Sequence, residues 1–136
     1  MSTLVIDSRR RNTTGVGTLT QFSLQLTPAL ESVSRCRLVW ADLPIPSGAT
    51  ESFYIITIPQ LGCPVRGGNS VLSGTFCIPV SSAGGYRSYW AENSSWHQVA
   101  NGNRTSITQL DVYVSWGNNN APALLGGDWT IIIQLE

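Results

Sequence analysis

An alternation of apolar and polar residues with a period of two is the feature that most restricts the fold of this chain. It is clearest in two early runs, whose apolar positions are Phe22, Leu24 and Leu26 in the first and Cys36, Leu38 and Trp40 in the second. Because successive side chains of a strand point to opposite faces, the pattern predicts half-buried β-strands with these residues facing a core. Pro28 is expected to end the first strand, and the short segment after it favours neighbouring antiparallel strands.

The rest of the chain repeats short strand-like runs between segments rich in Gly, Pro, Asn and Ser. Residues 53–58 carry apolar side chains on both faces, which indicates burial on both sides or contact with a partner. Gly74 is expected to form a bulge in residues 71–80, and Pro79 confines the end of that run to a sheet edge. Residues 86–103 predict one or two short strands with a long exposed excursion. In residues 105–116 the side chains expected to face inward are Leu110, Val112, Val114 and Trp116.

These runs amount to about eight strands without helical periodicity, and they predict an all-β, single-domain antiparallel β-sandwich of the jelly-roll type. Residues 1–18 are expected to form a basic arm with a first short strand outside the sandwich, and residues 19–136 the sandwich itself. Three tryptophans within strand runs are predicted to anchor the core or an interface, namely Trp40, Trp116 and Trp129.

The composition is poor in charge, since only 12% of the residues are charged against about 25% in typical soluble domains. A free monomer usually carries more surface charge, so part of this surface is expected to be covered by other subunits, in a trimer, pentamer or hexamer. The formal net charge of zero disfavours a dedicated nucleic-acid-binding module. The chain shows no signal peptide and no apolar run long enough to span a bilayer, which predicts synthesis in the cytoplasm and no membrane contact.

Groups that titrate or attack are scarce. The single histidine, His97, is a candidate general base beside Ser95 or Asp111, but no nucleophile elbow accompanies it. The three cysteines have no CxxC spacing, which suggests neither a complete disulfide framework nor a zinc site; two of them could pair. Cys36 and Cys77 are expected to be small buried core residues. The sequence therefore predicts no enzyme, no cofactor and no metal.

One cluster of charge and one of aromatic residues are the candidate sites. The basic run Arg9, Arg10, Arg11 and Asn12 fits a solvated arm, an arm docking on carboxylates of a neighbouring subunit, or a contact with packaged nucleic acid. Arg35 and Arg37 are expected to extend the same patch. The aromatic residues set among Asn and Ser are candidates for an interface or for stacking on glycans, and they are Tyr86, Tyr89, Trp90 and Trp96.

The first 45 or so residues also resemble a known kind of protein. The residues that carry the likeness are Ile6-Asp7-Ser8-Arg9-x-Arg11-Asn12, Phe22-x-Leu24-x-Leu26, Val33, Arg37-Leu38 and Leu43-Pro44, with Tyr54-x-Ile56 as a continuation. This order resembles the opening of small virion structural proteins, the minor capsid or capsid-associated cement proteins of double-stranded DNA viruses and phages. The resemblance implies a β-sandwich subunit in the virion that binds the major coat protein and has no catalytic residues. It leaves open a vertex, cement, fibre or tail position, and a carbohydrate-binding head of a fibre or tail is the alternative.

Overall fold

A computed structural model describes residues 2–11, 18–45, 53–66, 73–79, 86–91, 94–99, 105–116 and 125–136. Within these ranges the chain forms eleven strands and two 3-10 helical turns, at Ser8–Arg10 and Pro59–Leu61. The strands are β1 (Ser2–Asp7), β2 (Gln21–Val33), β3 (Arg35–Pro44), β4 (Phe53–Thr57), β5 (Val65–Arg66), β6 (Ser73–Gly74), β7 (Phe76–Pro79), β8 (Tyr86–Trp90), β9 (His97–Gln98), β10 (Thr105–Trp116) and β11 (Thr130–Leu135). Leaving aside the two-residue strands β5, β6 and β9, eight remain, as the sequence predicts.

The strands form two main antiparallel sheets packed face to face. The first sheet has the order β1-β11-β3-β8, with β9 continuing the edge beside β3, and the second has the order β2-β10-β4-β7. The strand pairing is nested. The first strand pairs with the last, β1 with β11, and each further pair lies inside the previous one in the sequence: β2 with β10, β3 with β8 and β4 with β7. Successive main strands therefore alternate between sheets in the first half of the chain. The predicted all-β antiparallel sandwich is confirmed.

The core lies between the two sheets and is filled by the inward side of each alternation. The inward residues of β10 are Leu110, Val112, Val114 and Trp116, all buried as predicted. Trp129 is 1% exposed, its indole N–H donates to the Leu19 carbonyl at 2.8 Å, and its ring lies 5.5 Å from that of Phe22. Tyr54 stacks on Trp116 with ring centroids 4.5 Å apart. Such aromatic pairs add to the hydrophobic stabilisation of the core.

Two expectations about β2 are wrong. β2 and β3 are not neighbours, since β2 pairs with β10 in the second sheet and β3 lies in the first. β2 also continues past Pro28, because it is an edge strand whose pairing with β10 is interrupted by register shifts between the partners of Ile107 and Gln109. A bulged edge strand tolerates a residue without a backbone donor.

The phase of β3 changes at Val39, which corrects the expected inward position of Trp40. The register against β11 jumps from Leu38 to Trp40, so that Val39 has no partner of its own. Before this bulge Cys36 and Leu38 face inward, and after it the buried residues are Ala41 and Leu43. Trp40 therefore lies on the outer face of the first sheet.

The segment expected to lie outside the sandwich contributes a strand to it. Residues Ser2–Asp7 pair along their whole length with β11, and Ile6 is fully buried in the core. The apolar alternation of Leu4 and Ile6 is short, and the basic residues after it give the segment the composition of a solvated arm. Removing the first 14 residues would therefore remove an edge strand as well as the arginines.

The small hairpin of β5 and β6 explains the two-faced apolar run in β4. Tyr54 and Ile56 face the core, whereas Ile55 faces away from it and is still fully buried. A Cβ atom added to Gly74 in β6 would lie 2.2 Å from Ile55 Cγ2, so the hairpin backbone rests directly on that side chain. Gly74 is thus a point of close backbone approach.

Replacing Gly74 by Ala is expected to lift the hairpin from Ile55 and lower the free energy of unfolding by about 1 to 3 kcal/mol. Gly126→Ala is the matched control, since a Cβ there meets nothing within 4 Å. Urea unfolding of both variants measures the effect, and a Gly74→Ala protein as stable as the Gly126→Ala control would contradict this packing.

Candidate functional site

The arginine run is folded onto its own chain. Ser8–Arg10 forms a 3-10 turn that begins after Asp7, whose carboxylate accepts the Arg9 backbone N–H at 3.0 Å. The Arg9 guanidinium also binds Asp7, at 2.7 Å. Arg11 donates to the Ser8 carbonyl at 2.7 Å and to Asp128 Oδ1 at 3.1 Å. Arg10 is exposed on the same turn.

The run therefore does not present a row of free guanidinium groups. Arg9 and Arg11 form ion pairs with carboxylates of their own chain, Asp7 and Asp128. One expectation was that these arginines dock on carboxylates of a neighbouring subunit. Asn12, the fourth predicted docking residue, lies outside the described residues. Arg9 and Arg10 are both exposed, and of the two only Arg9 forms an ion pair with a described residue.

Ser8 ties this turn to the start of β11. The Ser8 side chain is fully buried; its hydroxyl donates to Asp128 Oδ1 at 2.8 Å and accepts the Trp129 backbone N–H at 2.9 Å. The Ser8 backbone N–H donates to the Trp129 carbonyl at 2.9 Å. We call these contacts the Ser8 clasp. The Asp7-Ser8 pair that carries part of the family resemblance thus has a structural role.

The four candidate aromatic residues do not form one cluster. Tyr89 is partly buried against the core. Trp90 is 64% exposed on the outer face of the first sheet, with its ring 6.0 Å from that of Trp40. The Trp96 ring lies under two guanidinium groups, 4.9 Å from Arg35 and 4.8 Å from Arg37. The side chain of Tyr86 lies outside the described residues.

An unbroken apolar row crosses the outer face of the first sheet. In register across β1, β11, β3 and β8, it consists of Val5, Ile132, Trp40 and Trp90. None of the four belongs to the core, and Val5 is 55% exposed. Directly opposed residues on one face of a sheet are in contact distance, so these side chains make a continuous strip. We call this strip the apolar row.

Polar rows of opposite character flank the apolar row. On one side lie Thr3, Gln134 and Arg37, which we call the arginine row. On the other side lie Asp7, Thr130, Asp42 and Ser88, which we call the aspartate row. Arg9 binds Asp7, which lies in the aspartate row. The apolar row therefore lies between Arg9 and the other two arginines, Arg35 and Arg37. The single basic patch expected from the sequence is therefore divided.

Sequence reasoning identified Trp90 but missed the other members of the apolar row. Val5 was assigned to an arm, Trp40 to the inward face, and Ile132 lies within an uninterrupted apolar run, Ile131, Ile132 and Ile133. That run was the available signal, because its alternate residues must leave one isoleucine on the outer face. The partner strands that complete the row are a property of the pairing, which the sequence pattern does not contain.

His97 is brought to Cys36 and not to Asp111. His97 Nε2 lies 2.9 Å from the Leu61 carbonyl oxygen and 3.2 Å from Cys36 Sγ. Burial lowers the pKa of His97, against the opposing effect of the Leu61 hydrogen bond, and burial raises the pKa of Cys36 to about 12. Both groups are therefore neutral at neutral pH, and this thiol is not prepared for nucleophilic attack.

A pocket of about 240 Å³ opens beside this pair. Its lining includes His97, Tyr89, Phe76, Cys77 and Ser95. Cys36, Cys63 and Cys77 are all free thiols, and Cys77 is exposed, which corrects its expected burial. Its outward position follows from its place on β7 between Phe76 and Ile78, which both face inward.

Asp111 takes part in a separate hydrogen-bond network, on β10 of the second sheet. Its carboxylate accepts from Gln109 at 2.9 Å, Ser23 at 2.8 Å and Gln60 at 2.8 Å. These bonds favour the charged form and lower the pKa of Asp111, with Gln109 contributing most and partial burial opposing them. The residue thus holds together β2, β10 and the Pro59–Leu61 turn.

Among the described residues, no group of three or more His, Cys, Asp or Glu side chains is arranged to hold a metal ion. No helix in the same part of the chain is long and apolar enough to cross a membrane.

Comparison of the chain with models of known protein families and with curated proteins gives no match in either set.

Replacing Ser8 by Ala is expected to lower the free energy of unfolding by about 1 to 3 kcal/mol, because it leaves the buried Trp129 N–H without its acceptor. Ser106→Ala is the control, since the Ser106 hydroxyl binds Glu31 at an exposed position. Denaturant unfolding compares the two, and equal stabilities would show that the Ser8 clasp contributes nothing.

Replacing Asp111 by Asn is expected to flatten the acid side of the stability profile. Because the folded-state pKa of Asp111 is lowered, its contribution is complete above the ordinary value of 3.8 and is lost as the pH falls through the folded-state pKa. Urea unfolding between about pH 2 and 6 should show a smaller acid loss in the variant than in the wild type. Asp7, whose pKa is lowered mainly by its hydrogen bond from Arg9, retains its own share. If stability falls with pH equally in the variant and in the wild type, the stabilising role assigned to the Asp111 carboxylate is wrong.

Proposed function

We propose that this protein is a virion structural subunit, a capsid-associated β-sandwich that binds copies of itself and neighbouring coat proteins. The observation that carries the proposal is the apolar row, in which Val5 and Trp90 are each more than half exposed on the outer face of the first sheet. An exposed apolar strip of this kind on a chain with only 12% charged residues is typical of a surface that another protein covers.

The strand order supports the same proposal. We infer a jelly roll, because the nested pairing of β1 with β11, β2 with β10, β3 with β8 and β4 with β7 is that of one long hairpin rolled into two sheets. Jelly rolls are the architecture of many viral capsid domains and also of lectins, so the fold narrows the function without deciding it. The resemblance of the first 45 or so residues to minor capsid and cement proteins favours the capsid.

The chemistry of the described residues favours a structural role over catalysis. The Cys36 thiol is fully buried and neutral beside a neutral His97, and the Asp111 carboxylate is occupied by three side chains. Of the predicted docking residues, Arg10 has an exposed side chain suited to a carboxylate of the major coat protein. The localisation that follows is the virion, after synthesis in the host cytoplasm.

A carbohydrate-binding head of a fibre or tail is the second candidate, and the exposed Trp90 favours it. Sugars stack on aromatic faces, and Trp90 offers such a face beside Trp40. Trp96 is less suited, because two guanidinium groups already lie over its ring. Tryptophan fluorescence across a glycan panel separates the candidates, since only a glycan-binding head shows quenching that Trp90→Ala removes.

An antibody against the recombinant protein should detect it in gradient-purified particles of the virus that encodes it. We expect the protein to sediment with the major coat protein and to be labelled on intact particles by immunogold electron microscopy. Preimmune serum on the same fractions is the control. Detection in the soluble fraction of infected cells alone would overturn the proposal.

A further inference from the structure

The apolar row has no cover within the described part of the chain. Trp90 is 64% exposed and Val5 55% exposed, at the two ends of a row that spans all four main strands of the first sheet. The outer face of the second sheet differs, because the β5–β6 hairpin covers its apolar Ile55. Among the described residues, the second sheet exposes the single aromatic residue Tyr113, whereas the first sheet presents a continuous apolar row to solvent.

Two charges beside the apolar row lack a partner of opposite sign among the described residues. Asp42 lies in the aspartate row, and its Oδ1 atom is buried without a hydrogen bond. Arg37 lies in the arginine row, where it binds the neutral Gln134 at 2.8 Å and stacks on Trp96. Charged neighbours on the same face are already neutralised in pairs, Arg9 with Asp7 and Arg35 with Glu136.

Arg37 and Asp42 lie on the same strand, on opposite sides of Trp40. The bulge at Val39 places both on the outer face, although five positions separate them. A two-fold axis parallel to the apolar row and passing over Trp40 would superpose the row of one copy on the row of a second copy. The same rotation would bring Arg37 of each copy opposite Asp42 of the other.

We propose that the outer face of the first sheet binds a second copy of this chain around such a two-fold axis. This inference rests on the self-association named in the proposed function and makes it a two-fold contact, where the sequence predicts a trimer, pentamer or hexamer. The apolar rows form the centre of the interface, with Trp40 and Trp90 as anchors, and two Arg37–Asp42 pairs form its sides. Tryptophan and arginine are the residues most enriched at the energetic centres of interfaces. Packed sheets lie about 10 Å apart, a separation that tryptophan side chains from both copies fill.

The pairing of opposite charges selects this axis over the alternative. A two-fold axis parallel to the strands would also superpose the apolar rows, but it would bring Arg37 opposite Arg37 and Asp42 opposite Asp42. Like charges brought together at an interface are strongly unfavourable. The interface is isologous, so each single substitution alters two contacts of the dimer at once.

Charge reversal tests the inference. Arg37→Asp and Asp42→Arg should each weaken dimerisation at least tenfold, because either change places like charges opposite each other twice. A one-to-one mixture of the two variants should form a heterodimer, since each copy then carries charges of one sign opposite those of the other. Sedimentation velocity of each variant alone, of the mixture and of the double variant measures this.

The matched controls use charges and aromatic residues elsewhere. Arg66→Asp makes the same charge change on the β5–β6 hairpin, over the outer face of the second sheet, and should leave the dissociation constant unchanged. Trp90→Ala should weaken dimerisation at least tenfold, whereas Tyr113→Ala, at a 40% exposed aromatic residue of the second sheet, should not. Circular dichroism confirms that each variant is folded.

Each outcome bears on one claim. Weaker dimerisation of each variant alone, together with rescue in their mixture, supports the proposed axis, because the axis parallel to the strands would leave each single variant with as many like-charge contacts as the wild type. Variants that dimerise as the wild type does, or a mixture without heterodimer, overturn it, and so does a wild type that is monomeric at about 100 μM. The role in the virion is judged separately, by sedimentation with the particles, so that a protein found on particles but monomeric in solution refutes this interface and leaves the proposed function standing.

Discussion

The pairing of the first strand with the last is the interaction on which the rest of the structure depends. β11 is an interior strand of the first sheet, and β1 covers the side that would otherwise be an open edge. The Ser8 clasp fixes this pairing at its end through contacts with Asp128 and Trp129, about as far from Ser8 in sequence as the chain allows. β1 also supplies Ile6 to the core and Val5 to the apolar row, so both faces of the sheet depend on it.

A single bulge in β3 then determines what the first sheet shows to its surroundings. In a regular strand, residues five positions apart point to opposite faces, so Arg37 and Asp42 would lie on different sides of the sheet. The extra residue at Val39 brings both to the outer face and turns Trp40 outward between them.

Period-two alternation was sufficient to predict the strands, because it follows directly from backbone geometry. It assigned every inward residue from Leu110 to Trp116, and the missing backbone donor of Pro79 placed that residue correctly on an edge strand. It failed where pairing decides the outcome, since a bulge such as that at Val39 exists only relative to a partner strand. The partners of the arginine run could not be predicted for a similar reason, because Asp128, which Arg11 and Ser8 bind, lies at the other end of the chain. Recognising the apolar row requires both the alternation within each strand and the pairing between strands. The sequence pattern does not contain the pairing.

The scarcity of charge gives the few charged residues of the first sheet a clear physical meaning. Apolar contact is nondirectional, so an apolar row alone would allow a partner sheet to slide or rotate over it. Exposed ion pairs within one chain contribute little to the free energy of unfolding. In the three pairs described here the opposite charges neutralise each other; the pairs are Arg9–Asp7, Arg11–Asp128 and Arg35–Glu136. Arg37 and Asp42 are left over on either side of Trp40, and charges placed in this way restrict orientation more than they add affinity. A surface with an apolar centre and two opposite charges at its sides therefore has the minimum composition needed to bind one partner in one orientation.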